Sequence, residues 1–145
     1  LGQVIAGIKA LGFHSVVEAA LGADMVAYSE AQELTERVGA GEKLTSSCCP
    51  AFVNLVRKHF PDLMKYVSTT VSPMVAVERY IRSLRPDVVT VFIGPCISKK
   101  EEASIYGICS FLSFHRICSC HCSGSRIRSY RYSGSRSCRF LVSMG

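Results

Sequence analysis

The sequence predicts an α/β fold: a layered lobe with a parallel sheet and flanking helices, followed by an irregular C-terminal tail. Three observations predict it. Helical and strand-length apolar segments follow one another along residues 1–106 in the order helix, helix, strand, helix, helix, strand. The second strand, 88–93, is β-branched and nearly continuous, the pattern of a strand buried on both faces. From about Gly107 onward neither a helical nor an alternating period persists.

Each element has a local cause. Val4, Ile5, Ile8 and Leu11 recur at helical spacing, and Gly12 ends that helix. Val16-Val17 suits the start of a short strand. Residues 23–38 read as a second helix, with Met25, Val26, Leu34 and Val38 apolar and Gly39 at its stop. Lys43-Leu44-Thr45 is a short strand or extended entry. Pro50 suits the first turn of a third helix, which carries Phe52, Val53, Leu55, Val56 and Phe60 before Pro61 closes it. Ser72-Pro73 is an N-cap and first-turn pair for a fourth helix through Val75, Val77, Tyr80, Ile81 and Leu84. Arg82 and Arg85 sit in its last turns, where the dipole favours cations, and Pro86 stops it.

A chain of 145 residues with 48% hydrophobic content can bury one modest core. It has no apolar run of about 18 residues, so no transmembrane helix is expected. No signal peptide is visible. Leu1 opens in mid-helix pattern and is not Met, so the natural N-terminus is expected upstream. The net charge of +6 is segregated: all 11 acids lie before residue 103, balanced there by as many Lys and Arg, whereas residues 103–145 carry Arg and no acid. The tail also holds most of the 8 Cys, and Ser-Gly-Ser-Arg occurs at 123–126 and 133–136. Three readings of it compete. The chain is out of frame from about Gly107; or the tail is a basic nucleic-acid-binding segment; or Cys118, Cys120 and Cys122 with His115 and His121 form a metal site, although structural zinc usually takes a wider gap.

Two cysteine motifs carry the chemistry. The first is Thr45-Ser46-Ser47-Cys48-Cys49-Pro50; the second is Gly94-Pro95-Cys96-Ile97-Ser98-Lys99-Lys100-Glu101-Glu102. In each, an apolar run stops, a Cys neighbours a Pro, and a helical pattern follows. Both fall at the carboxyl ends of predicted strands, where ligands gather in parallel sheets. A thiolate ahead of a helix N-terminus is stabilised as nucleophile or metal ligand. The competing reading for Cys48, Cys49 and Cys96 is that of small core residues. Disulfides are not expected, and a reducing compartment fits. Glu30 and Glu33 lie three apart on one helix face, as a proton-transfer pair or a solvated carboxylate face. Ser68 and Ser72 could donate to a cluster, Ser72 more economically as an N-cap. Lys99 and Lys100 could equally be the solvated start of a helix.

The combination of these motifs resembles the first two signature motifs of the large subunit of iron-only ([FeFe]) hydrogenases, over about residues 1–106. The resemblance implies an H-cluster: a [4Fe–4S] cubane joined by a cysteine to a two-iron unit with CO, CN⁻ and an azadithiolate. It implies Cys49 and Cys96 as cluster ligands, Cys48 as the proton donor to the azadithiolate, and Lys99 as a hydrogen-bond partner of a cyanide, with Ser72 in the same pocket. Glu30, Ser68 and Glu33 would form the proton route to Cys48. The implied reaction is reversible reduction of protons to H₂ in a cytoplasmic oxidoreductase, with a ferredoxin-like electron partner. Gly94 stands where the family usually has Met, and Ala51-Phe52 where it usually has Gly-Trp, which resembles the sensory branch. A third possibility is a hydrogenase-like iron–sulfur assembly protein without H₂ activity. The family's third motif, with two more cysteines, is absent, so this chain is expected to be a fragment: residues 1–106 a partial H-cluster domain, and 107–145 a tail that is disordered or out of frame. On its own it is expected to be incomplete and inactive.

Overall fold

The structure of the protein, a computed structural model, describes residues 2–111 and 141–142. Five α-helices run in chain order: α1 (Gly2–Ala10), α2 (Ala20–Gly39), α3 (Pro50–His59), α4 (Pro73–Leu84) and α5 (Ile97–Ile105). A 3-10 helix, Pro61–Tyr66, follows α3. Three short strands complete the set: β1 (Val91–Ile93), β2 (Cys109–Phe111) and β3 (Leu141–Val142). β1 lies between the other two and pairs with each in parallel, Val91 opposite Cys109 and Phe92 opposite Leu141. The described residues are thus mixed helical with few strands. No helix among them is long and apolar enough to cross a membrane.

Three predicted strands fall short. Val16-Val17 forms none, and of 43–45 only Thr45 pairs, in a single parallel bridge to Val67. That bridge has two backbone bonds, Thr45 N–H to the Tyr66 carbonyl at 2.7 Å and Ser68 N–H to the Thr45 carbonyl at 2.8 Å. It ties the first cysteine motif to the Ser68 segment. The strand predicted at 88–93 begins only at Val91; Val89 is exposed and pairs with none of the described residues. Pro61 does end α3, but its fixed φ then opens the 3-10 turn.

The core forms around the first turns of α4. Met74, Val75, Phe92, Ala103 and Ile108 are buried together with Ala19, and Val71 packs against them. α2 lies across α4, and Gly22 is the point of closest approach. A methyl group there would overlap the Pro73 carbonyl and the Val77 side chain. Elsewhere the apolar pattern overstates burial. Leu34 and Val38 on α2, and Phe52, Leu55 and Phe60 at α3, are exposed. Only Gly22 and Val26 of α2, and Val56 of α3, are buried. The C-terminal half of α2 turns a polar face, not an apolar one, toward its neighbouring loops.

Gly22→Ala is therefore expected to destabilise by about 1–3 kcal/mol through overpacking against α4. A thermal melt checks it: the midpoint should fall by roughly 5 °C or more. An unchanged midpoint would mean that the helices separate at no cost.

Candidate functional site

α2 positions two carboxylates, one turn apart, against two different loops. Glu30 Oε1 accepts from Ser46 Oγ at 2.9 Å, from Ser47 N–H at 2.9 Å and, at 3.4 Å, from Ser47 Oγ. Ser46 Oγ in turn accepts from the Cys48 N–H at 3.2 Å, so Glu30 holds the loop that carries Cys48. Glu33 Oε2 accepts from Ser68 Oγ at 2.6 Å, and both of its oxygens lie within reach of the Thr69 N–H. Glu33 Oε1 also accepts from Arg37 Nη2 at 2.9 Å. Arg37 is held from its other side by the Lys65 carbonyl at 2.7 Å.

Besides the Thr45–Val67 bridge, the two carboxylate clusters meet at Thr70. Its N–H donates to Ser68 Oγ at 3.1 Å, and its carbonyl accepts from Ser47 Oγ. The structure brings Glu33 and Ser68 into direct contact. It does not bond Glu30 to Ser68, nor either glutamate to the Cys48 thiol. Glu33 is shielded to 15% exposure, by the Ser68–Thr69 segment and Arg37 rather than by Leu34, which is itself exposed. Burial alone would push the Glu33 carboxyl up. Hydrogen bonds from Ser68, Thr69 and Arg37, with the Arg37 charge, outweigh it and hold its pKa below the ordinary value.

Cys49 and Cys96 occupy equivalent places. Each is the extended residue immediately before a helix, Cys49 before α3 and Cys96 before α5. Neither caps its helix with a side-chain bond, so the first-turn N–H groups favour a thiolate nearby. The two helices pack on each other, with Asn54 Nδ2 at 3.5 Å from Glu101 Oε2. Cys48 and Cys49 are exposed and Cys96 half-buried, which removes the core-residue reading, and none of the three is in a disulfide. Among the described residues no three His, Cys, Asp or Glu side chains are grouped to hold a metal. Cys118, Cys120, Cys122, His115 and His121 lie outside the described residues.

Two side chains, Ser72 and Lys99 of the second motif, depart from expectation. Ser72 stands at the N-cap position of α4 but makes no capping bond. Its hydroxyl donates to Glu102 Oε2 at 2.7 Å, a charge-assisted bond that orients the side chain toward α5. Lys99 is not a solvated helix start. Its ammonium lies 3.6 Å from the same Glu102 oxygen, and its Nζ is buried without a hydrogen-bond partner among the described residues. Ser46, Ser47, Thr70, Arg37 and Glu102 were not singled out from sequence. Arg37 one turn beyond Glu33, and Glu102 one turn beyond Lys99, were the available signals. A cleft of about 510 Å³ adjoins these groups, lined by Ser47, Ser68, Thr70, Ser72, Glu102 and Tyr106 among others.

Comparison with known proteins gives a consistent result. Residues 1–110 match the family described as "Iron only hydrogenase large subunit, C-terminal domain". Iron hydrogenase 1 of Clostridium pasteurianum is 34% identical over 112 residues, which is 70% of this chain and 20% of that protein. The cytosolic Fe-S cluster assembly factor NAR1 of Meyerozyma guilliermondii is 29% identical over 107 residues, 67% of this chain and 20% of its own length. A solved [FeFe]-hydrogenase, from work on oxygen inactivation through degradation of the H-cluster 2Fe subcluster, superposes with a TM-score of 0.63. It is 24% identical, and the match covers 97% of this chain and 33% of that one. The chain thus spans about a fifth of the length of these curated relatives.

The Glu33 geometry generates a pH prediction. Because its folded pKa lies below the unfolded one, its contribution to stability is full above the unfolded value and is lost as pH falls through the folded value. Glu33→Gln should flatten the fall in melting temperature from neutral to acid pH. A pH series of thermal melts checks this; parallel curves for the two proteins would contradict it.

Proposed function

Because the chain belongs to the iron-only hydrogenase large-subunit family, we propose that it is a portion of an H-cluster domain whose parent interconverts protons and H₂. The observation that carries this reading is the pair of carboxylates on α2, each bound by hydroxyls of a different loop, one loop leading to Cys48 and the other to Ser68. The buried, unpartnered Lys99 Nζ fits a cofactor that brings its own hydrogen-bond acceptors. The donor set fits in kind: thiolates suit iron–sulfur clusters.

On this reading Cys49 and Cys96 would hold the [4Fe–4S] cubane, Lys99 and Ser72 would face its two-iron partner, and the remaining thiolates would come from the parent. The H-cluster, when bound, supplies the two electrons that join two protons as H₂. The chain's own residues handle the protons. Glu33, with its lowered pKa, is ionised at rest and accepts a proton from solvent only transiently. Ser68 passes it on by rotating its hydroxyl. A peptide group does not relay protons, so the step across Thr70 to Glu30 needs a water, for which the adjoining cleft has room. Ser46 and Ser47 hold Glu30 beside the Cys48 loop, and Cys48 Sγ delivers the proton.

The same reading keeps the parent cytoplasmic, with a ferredoxin-like electron partner. It treats the three parallel strands as part of a larger parallel sheet. It also keeps the division into a partial H-cluster domain, 1–106, and a Ser/Arg/Cys-rich tail, 107–145, disordered or out of frame, although Ile108 and β2 at the start of that tail belong to the core and the sheet. The similarity to an Fe-S cluster assembly factor favours a second reading, a hydrogenase-like assembly protein without H₂ chemistry. Gly94 and Ala51-Phe52 favour a third, an H₂ sensor of slow turnover.

Two substitutions in the full-length parent test the assignment. Cys48→Ala should retain the cluster's spectroscopic signal and lose H₂ evolution by about 100-fold or more. Loss of the signal would contradict the donor role. Cys96→Ala should prevent assembly of the cluster; an intact signal there would remove Cys96 from the ligands.

A further inference from the structure

On the H-cluster reading, we propose that Glu102 is a positioning residue of the cofactor pocket, holding Lys99 and Ser72 in place through a single carboxylate oxygen. Lys99 lies on α5 and Ser72 immediately before α4, so no local geometry brings them together. Glu102 Oε2 does: it accepts from Ser72 Oγ at 2.7 Å and stands 3.6 Å from Lys99 Nζ. The first distance is a strong hydrogen bond. The second is too long for one, so the ammonium is held by charge while its N–H donors stay uncommitted. A buried ammonium without a hydrogen bond is costly, and that cost is relieved when an acceptor enters the pocket.

The surroundings support the assignment. Ser72 is 2% exposed, and the side chains of Glu102 and Lys99 are 13% and 17% exposed, so solvent screens this contact little. The adjacent Glu101 differs. It is exposed and reaches Asn54 on α3, not Lys99 or Ser72. The structure thus separates two neighbouring glutamates by role, and only the second touches the pocket residues.

The test uses the full-length parent carrying its H-cluster. Infrared spectra record the cyanide stretching bands of the wild type, Glu102→Gln, Glu102→Asp and Glu101→Gln, and thermal melts record folding. Gln keeps the shape of Glu102 and its acceptor for Ser72, but removes the charge that holds Lys99. Glu102→Gln should melt near the wild type with its cyanide bands displaced and broadened. Glu102→Asp should restore them in part, and Glu101→Gln should superimpose on the wild type. Cyanide bands unmoved in folded Glu102→Gln overturn the proposal and leave the hydrogenase reading standing. Bands moved equally by Glu101→Gln also overturn it, since the effect would then be general. If Glu102→Gln does not fold, Ser72→Ala decides: displaced bands support the proposal and unmoved bands reject it. A wild-type parent without cyanide bands removes the hydrogenase reading itself, and the inference with it.

Discussion

Glu30 and Glu33 sit one helical turn apart on α2, and each must satisfy its carboxylate with donors from outside the helix. Both find them in backbone N–H groups and hydroxyls of two loops. A half-buried carboxylate left without such donors would cost free energy or take up a proton. The loops therefore cannot leave α2 cheaply, and α2 cannot turn this face elsewhere. The Thr45–Val67 bridge then fixes the two loops to each other. The cysteine motif, the Ser68 segment and the two carboxylates are thus tied together by one set of polar contacts.

The core works one step behind this. α4 begins in the most deeply buried apolar cluster, and its first turn meets α2 at Gly22, where no side chain would fit. That contact sets the height and tilt of α2, and hence where Glu30 and Glu33 meet their loops. The other end of the site follows similar logic. Ser72, just before α4, reaches across to α5, so α4 connects the Glu30 and Glu33 side to Lys99 and Glu102. A disturbance in the α2–α4 packing should therefore be felt at both ends.

Much of this was legible in the sequence, and the reasons for the misses are specific. Prolines and glycines placed the helix boundaries well: Pro50 and Pro73 do open α3 and α4. The equal placing of Cys49 and Cys96 ahead of helices was readable for the same cause. Strand length was not, because a β-branched run such as 88–93 states a preference and only a partner decides how much of it pairs. Helical periodicity was a good guide on α4, where Val75 and Val77 are buried, but overstated burial at Leu34, Val38 and Phe52. Ser72 shows the limit most clearly. Its position before Pro73 is that of an N-cap, yet a residue 30 places later takes its hydroxyl. Long-range acceptors such as Glu102 leave no mark in local pattern.

The central claim is that this chain is part of a domain that holds an H-cluster, not a bare iron–sulfur cluster. The most direct measurement is the infrared spectrum of the full-length parent, isolated without oxygen, in the region of CO and CN⁻ stretching. The account predicts both sets of bands. A parent that binds iron and sulfide but lacks bands from either diatomic ligand would contradict it, and would favour an assembly role like that named for the relative from Meyerozyma guilliermondii.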